Sequence, residues 1–167
     1  MIKDFEFYHG IVLSRLLHNT DRSIAITRFS NLDNASYVVN GELGIYIKFS
    51  KKRMSPWSFT FTKNHQDEIL KMSEKFKQIF VTLVCGNDGI ACLSFKEFKQ
   101  ILDNQHEDIE WVSVSRGARK MYSVKGRDGA LAFKLGNNEF PNKLFSDVES
   151  VAITEKDIIE ITESKTC

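Results

Sequence analysis

Apolar and polar positions along this chain follow two different periods, and each period predicts one kind of element. Apolar residues recur at helical spacing in three segments, residues 5–18, 65–78 and 95–103. A residue suited to capping stands before each segment: Asp4, Asn64, and Ser94 with Glu97 as a capping box. The sequence therefore predicts three helices.

Alternation of period two and short apolar runs predict strands between these helices. They cover residues 23–30, 36–40, 43–50, 57–62, 79–86 and 90–95. Asn40-Gly41 is a strong signal for a two-residue hairpin between the second and third of them. Tyr46 and Lys48 are then expected on the face of the third strand opposite Ile47.

The pattern changes after residue 103, where three short strands over residues 110–116, 119–126 and 130–136 predict a β-meander. The predicted fold class is α+β, a mixed β-sheet flanked by helices with this meander on its C-terminal side. One domain is expected over residues 1–136, with its core at 5–103 and the meander at 109–136. A polar C-terminal segment, 137–167, is expected to be loosely attached and to hold a helix from Thr154.

Composition narrows the class of protein. At 167 residues, with 42% hydrophobic and 27% charged residues, the chain is expected to bury a core as one globular domain. A net charge of +1 excludes a protein that coats nucleic acid through a strongly basic surface, but allows a local basic patch.

The three cysteines, Cys85, Cys92 and Cys167, have no metal-ligand spacing. The first two are expected to be reduced and buried as small hydrophobic residues. The sequence shows neither the pattern of a signal peptide nor an apolar run of the ~20 residues that a membrane span requires. We therefore expect a soluble, cytoplasmic protein without a membrane partner.

The candidate chemistry centres on Tyr46-Ile47-Lys48 and on two nearby acids, Asp33 and Glu42. A helix, a strand meander, a second helix and a buried strand, with this tripeptide on the third strand, resemble the core of the PD-(D/E)XK, or restriction-endonuclease-like, nuclease superfamily. That family places an acid on the second strand and a D/E-x-K tripeptide on the third. In this chain Tyr46 stands at the acid position of the tripeptide, and the preceding strand ends in Asn40.

The resemblance implies a magnesium site for phosphodiester hydrolysis, because Mg²⁺ prefers carboxylate oxygens. In that site Asp33 and Glu42 are the expected metal ligands, and Glu42 and Lys48 the expected catalytic residues, with Lys48 stabilising the attacked phosphate. The other interpretation of these residues is an ordinary polar strand face.

Two basic clusters are candidate contacts to DNA or RNA, since cations bind phosphates and aromatic rings stack on bases. They are Lys51, Lys52 and Arg53 with Trp57, and Arg116, Arg119 and Lys120. Solvated loops are the alternative for both clusters. His9 and His65 are weaker candidates, for which packing or capping is the simpler role.

These observations favour a nucleic-acid-interacting protein with a nuclease-like fold, either a divergent metal-dependent phosphodiesterase or a catalytically inactive relative. The alternative is a protein-interaction or regulatory module that binds a protein partner or a second copy of the chain and no nucleic acid.

Overall fold

The structure is a computed structural model that describes residues 1–146. Within them lie the helices α1 (Asp4–His18), α2 (Lys63–Lys75) and α3 (Phe95–Ile101), and residues 143–146 are also helical. The strands are β1 (Ile26–Arg28), β2 (Ser36–Val39), β3 (Leu43–Ser50), β4 (Trp57–Thr62), β5 (Gln78–Cys85), β6 (Gly89–Ser94), β7 (Ile109–Ser115), β8 (Ser123–Gly126) and β9 (Gly129–Ala130). The predicted α+β class is confirmed.

Sheet A is a mixed, five-stranded sheet with the order β1-β2-β3-β5-β6. Its strands β3 and β5 are parallel, and the other pairs are antiparallel. The nearly continuous apolar run at 79–86 forms β5, which lies inside the sheet between β3 and β6. The connection between β3 and β5 contains β4 and α2, because parallel strands need a crossover.

Sheet B is antiparallel with the order β4-β7-β8-β9. Sheet B contains the predicted β-meander in β7, β8 and β9, although β8 and β9 are shorter than the predicted strands 119–126 and 130–136. It also contains β4, which leaves sheet A and pairs with β7 in a register that joins Trp57 to Val114 and Thr62 to Ile109.

The hairpin between β2 and β3 forms at Asn40-Gly41, as the sequence predicts, but three residues, 40–42, separate the paired Val39 and Leu43 instead of two. Asn40 and Gly41 both have positive φ, 53° and 68°, and the Glu42 backbone N–H donates to the Val39 carbonyl at 3.0 Å. Consecutive β3 side chains then enter opposite apolar clusters, Tyr46 on one side of sheet A and Ile47 on the other.

Sheet A separates these apolar clusters. One fills the space between sheet A, sheet B, α2 and α3, and includes Trp57, Phe59 and Phe61. The other lies on the opposite face, beneath α1, and it includes Phe140, Leu144 and Phe145. These three residues follow the expected boundary at 136 and thus belong to the core, because their aromatic and aliphatic side chains cover this face. The helix predicted from Thr154 lies outside the described residues.

The start of α2 differs from its prediction. Thr62, not Asn64, is the N-cap: its Oγ1 accepts from the His65 backbone N–H at 3.3 Å, and His65 Nδ1 accepts from the Thr62 N–H at 3.1 Å. The capping box of Ser94 and Glu97 at α3 is confirmed.

Across residues 1–146, no helix combines the length and apolarity needed to cross a membrane.

Cys85 and Cys92 are buried free thiols in β5 and β6, as predicted. Burial raises the pKa of both thiols, so both stay protonated near neutral pH. They fill space in the sheet as small apolar side chains.

Candidate functional site

A cavity of about 830 Å³ lies beside the second half of β3, between α1, the loop before β2 and the start of α2. The charged and titratable side chains that line it include His9, Asp33, Lys48, His65 and Glu68. The structure thus brings together Asp33 and Lys48, which the sequence singled out. They meet because β2 and β3 are antiparallel, which places the loop before β2 next to the end of β3.

Glu42 does not belong to this cavity. It is exposed in the turn before β3, six residues from Lys48 along an extended strand, which is about 20 Å. The roles expected for Glu42, as metal ligand and as catalytic residue beside Lys48, are therefore wrong. The hairpin turn that fixes the strand register also holds Glu42 at the start of β3, at the opposite end of the strand from the cavity.

Both carboxylate oxygens of Asp33 have partners within the protein. Oδ1 accepts from the Ala35 backbone N–H and Oδ2 from the Tyr46 hydroxyl, each at 2.7 Å. Burial, and then the hydrogen bond to Asp33, raise the pKa of Tyr46, so its phenol remains a donor. The tyrosine at the acid position of the tripeptide therefore binds the neighbouring acid.

The Lys48 side chain is half-buried and ends in the cavity. Burial lowers the pKa of its ammonium, and Asp33 opposes that shift. Within residues 1–146, no carboxylate oxygen lies within 4.0 Å of the Lys48 ammonium, so Lys48 forms no ion pair there. Its nearest polar contact is His65 Nδ1 at 3.5 Å. Among the described residues the Lys48 ammonium thus has no carboxylate at ion-pair distance, although Asp33 acts on it electrostatically and its Nζ lies 5.5 Å from the centre of the Phe61 ring.

The two histidines of the cavity are held in their neutral form. Burial lowers the pKa of His9, and burial together with Lys48 lowers that of His65. His65 Nδ1 accepts a backbone N–H, so the proton of the neutral ring is on Nε2. His9 Nδ1 lies 3.1 Å from the Tyr37 hydroxyl.

Glu68 is one of the charged cavity residues, with Asp67 and Lys71, to which the sequence analysis assigned no role. It is buried on α2, and its Oε1 accepts from Ser36 Oγ at 3.3 Å. Its position three residues after His65 could have found it, because residues at that spacing share a helix face.

The cavity residues do not fit the magnesium ion that the resemblance implies. Asp33 and Glu68 both line the cavity, but both Asp33 oxygens already accept hydrogen bonds. Within residues 1–146, the set of three His, Cys, Asp or Glu ligand atoms within 4.8 Å of one another lies elsewhere, at Asp103, Glu110 and Asp128. No metal-dependent step is therefore assigned to this cavity.

The first basic cluster is only partly available for nucleic acid. Lys51 pairs with Asp4 at 2.9 Å on the surface, while Lys52 and Arg53 are exposed in the loop after β3. Trp57 is only 2% exposed, and its Nε1–H donates to the Lys52 carbonyl at 2.9 Å. The stacking role expected for Trp57 is wrong, because the ring packs in the core.

Arg116 of the second cluster has a structural partner. Its guanidinium contacts both oxygens of Asp88, with Nε donating to Oδ2 at 2.6 Å, and the Tyr122 hydroxyl donates to the same oxygen at 2.6 Å. This contact ties the β5–β6 turn of sheet A to sheet B, so the guanidinium is not a free phosphate ligand. Arg119 and Lys120 are exposed in the loop before β8 and do not line the cavity.

Comparison with known proteins adds no family to this geometry. No protein-family model, no curated protein and no solved structure matches the chain. What the cavity binds has to be inferred from its own side chains and from the order of the elements that carry them.

Proposed function

We propose that this chain binds nucleic acid at the cavity, with Lys48 contacting a backbone phosphate, and that it binds without cutting the strand. The observation that carries the proposal is the half-buried Lys48 ammonium, which has no carboxylate partner in residues 1–146. A partly buried charge without a counter-ion is costly. An anionic oxygen entering the cavity offsets that cost.

The surroundings of Lys48 favour a phosphate oxygen as that anion. His65 carries its proton on Nε2 and can donate a hydrogen bond to a ligand oxygen. The volume of about 830 Å³ falls within the range of about 300–1,000 Å³ typical of ligand sites.

The fold supports a polynucleotide over a small free anion. Helix α1, the meander β1-β2-β3, helix α2 and the parallel strand β5 follow the element order on which the resemblance to the nuclease core is based. Leu32 lines the same cavity with a side chain that is 92% exposed. Such an apolar side chain can pack against an unstacked base beside the bound phosphate.

Binding without cleavage follows from Tyr46 and Asp33. A protonated phenol is a poor ligand for a hard divalent cation, and it donates to the acid that would otherwise bind one. Metal-dependent cleavage is the outcome that would contradict binding alone, and Asp33 and Glu68, which both line the cavity, are the acids at which to test it. A cleavage assay separates the two.

The proposal is tested by fluorescence anisotropy with labelled single-stranded, double-stranded and branched DNA and with RNA, over a series of salt concentrations. We expect Lys48→Ala to weaken binding at least tenfold and to reduce the slope of log K against log salt by about one, the effect of losing one phosphate contact. Lys125→Ala is the matched control, since Lys125 is an exposed lysine on sheet B, and it should bind like the wild type.

Each part of the proposal has a result that overturns it. Wild-type protein that binds none of these nucleic acids at low salt would favour the protein-interaction module. Equal affinities of the Lys48→Ala variant and the wild type would remove Lys48 from the site. Cleavage that requires Mg²⁺ or Mn²⁺ and is lost in Asp33→Asn and Glu68→Gln would replace binding alone with hydrolysis.

A further inference from the structure

A cluster of three carboxylates lies away from the cavity, where α3 ends against sheet B. Asp103 follows α3, Glu110 belongs to β7, and Asp128 lies in the turn between β8 and β9. One carboxylate oxygen of each lies within 4.8 Å of the other two. Oxygens that share one Ca²⁺ at 2.3–2.6 Å are separated by at most about 5 Å, so this spacing suits a common ion.

A buried carboxylate oxygen of Glu110 is a second observation that points to a cation. The residue is 1% exposed, and its Oε2 accepts from Gln66 Nε2. Its Oε1 is also buried and has no hydrogen-bond donor within residues 1–146. Arg127 Nη1 lies 3.7 Å from this oxygen, which is beyond hydrogen-bond distance. A buried carboxylate oxygen without a donor is costly, so a cation at this position would stabilise the fold.

The backbone holds the three acids together before any ion binds. Asp128 Oδ2 accepts from the Asp103 backbone N–H at 2.9 Å, which links the turn to the end of α3. A Cβ on Gly126 would lie 2.4 Å from the Ile101 carbonyl oxygen, so only glycine allows this close approach.

The charge balance at the cluster also favours a cation. The carboxylate oxygens of Glu110 and Asp128 lie within 4.8 Å of each other, and two close carboxylates repel each other. Arg127 also lies 3.7 Å from Glu107, and its side chain is 44% exposed, so it neutralises Glu110 only in part. Lys99 is a second cation near the cluster, and its charge interacts with all three acids.

We propose that Asp103, Glu110 and Asp128 hold a hard divalent cation, calcium or magnesium, that fastens the end of α3 to sheet B. Carboxylate oxygens alone favour these ions over transition metals, which prefer imidazole or thiolate ligands. Asp103 and Asp128 are exposed, so water can complete the coordination shell. The ion is structural, and its binding is independent of nucleic acid at the cavity.

The test uses the full chain, stripped with EDTA and titrated calorimetrically with CaCl₂ and, in a separate arm, with MgCl₂. We expect binding of at least one of the two ions and a rise in Tm at saturating ion that EDTA reverses. Asp128→Asn should weaken binding at least tenfold and abolish the rise in Tm. Asp103→Asn, also at an exposed position, provides a second variant if the first does not fold.

Two controls make the result specific to this cluster. Asp108→Asn removes an exposed carboxylate from the same loop and should leave ion binding unchanged. Asp33→Asn alters the cavity and should also leave it unchanged, so failure here is distinct from failure of the nucleic-acid proposal. Absence of binding and of any Tm change with both ions would overturn the proposal, as would wild-type binding by Asp128→Asn or loss of binding in Asp33→Asn.

Discussion

Two basic side chains of this molecule, Arg116 and Lys48, differ in what lies opposite them. Arg116 holds the carboxylate of Asp88 through two hydrogen bonds, whereas the Lys48 ammonium lies in the cavity with no carboxylate of residues 1–146 at ion-pair distance. The sequence marks both as cations near an aromatic residue and cannot tell them apart. The difference comes from Asp88: Arg116 pairs with it and stabilises the fold, whereas we propose that Lys48 contacts a ligand.

Asp88→Asn should lower Tm near neutral pH and flatten its decline in acid. The hydrogen bond from Arg116 holds the pKa of Asp88 below its ordinary value of about 3.9. The carboxylate therefore contributes stability that is fully present above pH of about 4 and is lost as pH falls through the folded-state pKa. Circular dichroism melts from pH 7 to pH 3 measure both effects.

Asp4→Asn is the control for this variant, since Asp4 pairs with Lys51 on the surface with 62% of its side chain exposed. It should change Tm little at any pH, because exposed ion pairs contribute little. An Asp88→Asn protein with the wild-type acid profile would contradict a stabilising role for the Arg116 contact.

At the scale of elements, helix α2 follows strand β4 directly. Thr62 is the last residue of β4 and the N-cap of α2, so the chain passes from sheet B into the helix without a loop. This direct junction sets the first turn of α2, and with it His65, against the end of β3. The position of one side of the cavity therefore depends on this cap.

Thr62→Ala should lower the free energy of unfolding by about 1 kcal/mol, the usual cost of losing an N-cap side chain. Asn64→Ala is the matched control, because Asn64 is exposed inside the first turn and should change stability by less than about 0.5 kcal/mol. Urea unfolding of the two variants compares them directly. A larger loss in Asn64→Ala than in Thr62→Ala would return the capping role to Asn64.

What the sequence predicted at this scale depended on local patterns. Strands 43–50 and 57–62 were predicted with their observed bounds, because alternation of side chains is visible within six to eight residues. The pairing of β4 with β7 was not predicted, since its register joins residues far apart in the sequence. Trp57 was misassigned although its alternation with Phe59 and Phe61 already indicated a buried face.

The candidate site was predicted in part for the same reason. Asp33 and Lys48 were found because the hairpin places them together, and this follows from the Asn40-Gly41 turn. Glu68 shares a helix face with the candidate His65, but the packing of that face of α2 on sheet A joins distant parts of the chain and is not encoded in a local pattern.

At the scale of the whole molecule, sheet A is covered on both faces, and the described residues past 136 supply part of one cover. Phe140, Leu144 and Phe145 pack with α1 residues Val12 and Leu16 in the same apolar cluster. The first and last described segments of the chain thus share one core, so neither is an independent appendage.

Leu144→Ala should lower the free energy of unfolding by about 2–5 kcal/mol, because Leu144 is 0% exposed and its removal leaves a cavity. Leu17→Ala makes the same chemical change on α1 at a side chain that is 49% exposed, and it should cost less than about 1 kcal/mol. Urea denaturation measures both. Equal losses would show that residues past 136 do not support the core.

The position of β4 has a consequence for the chain while it is being synthesised. Trp57, Phe59 and Phe61 leave the ribosome well before the residues that pair with them, which run from Ile109 to Val114. At about 5–20 residues per second, this strand waits for roughly 3–10 seconds with its aromatic face uncovered. Until β7 has been synthesised, the nascent chain therefore exposes an aggregation-prone strand, which is covered when β7 pairs with it.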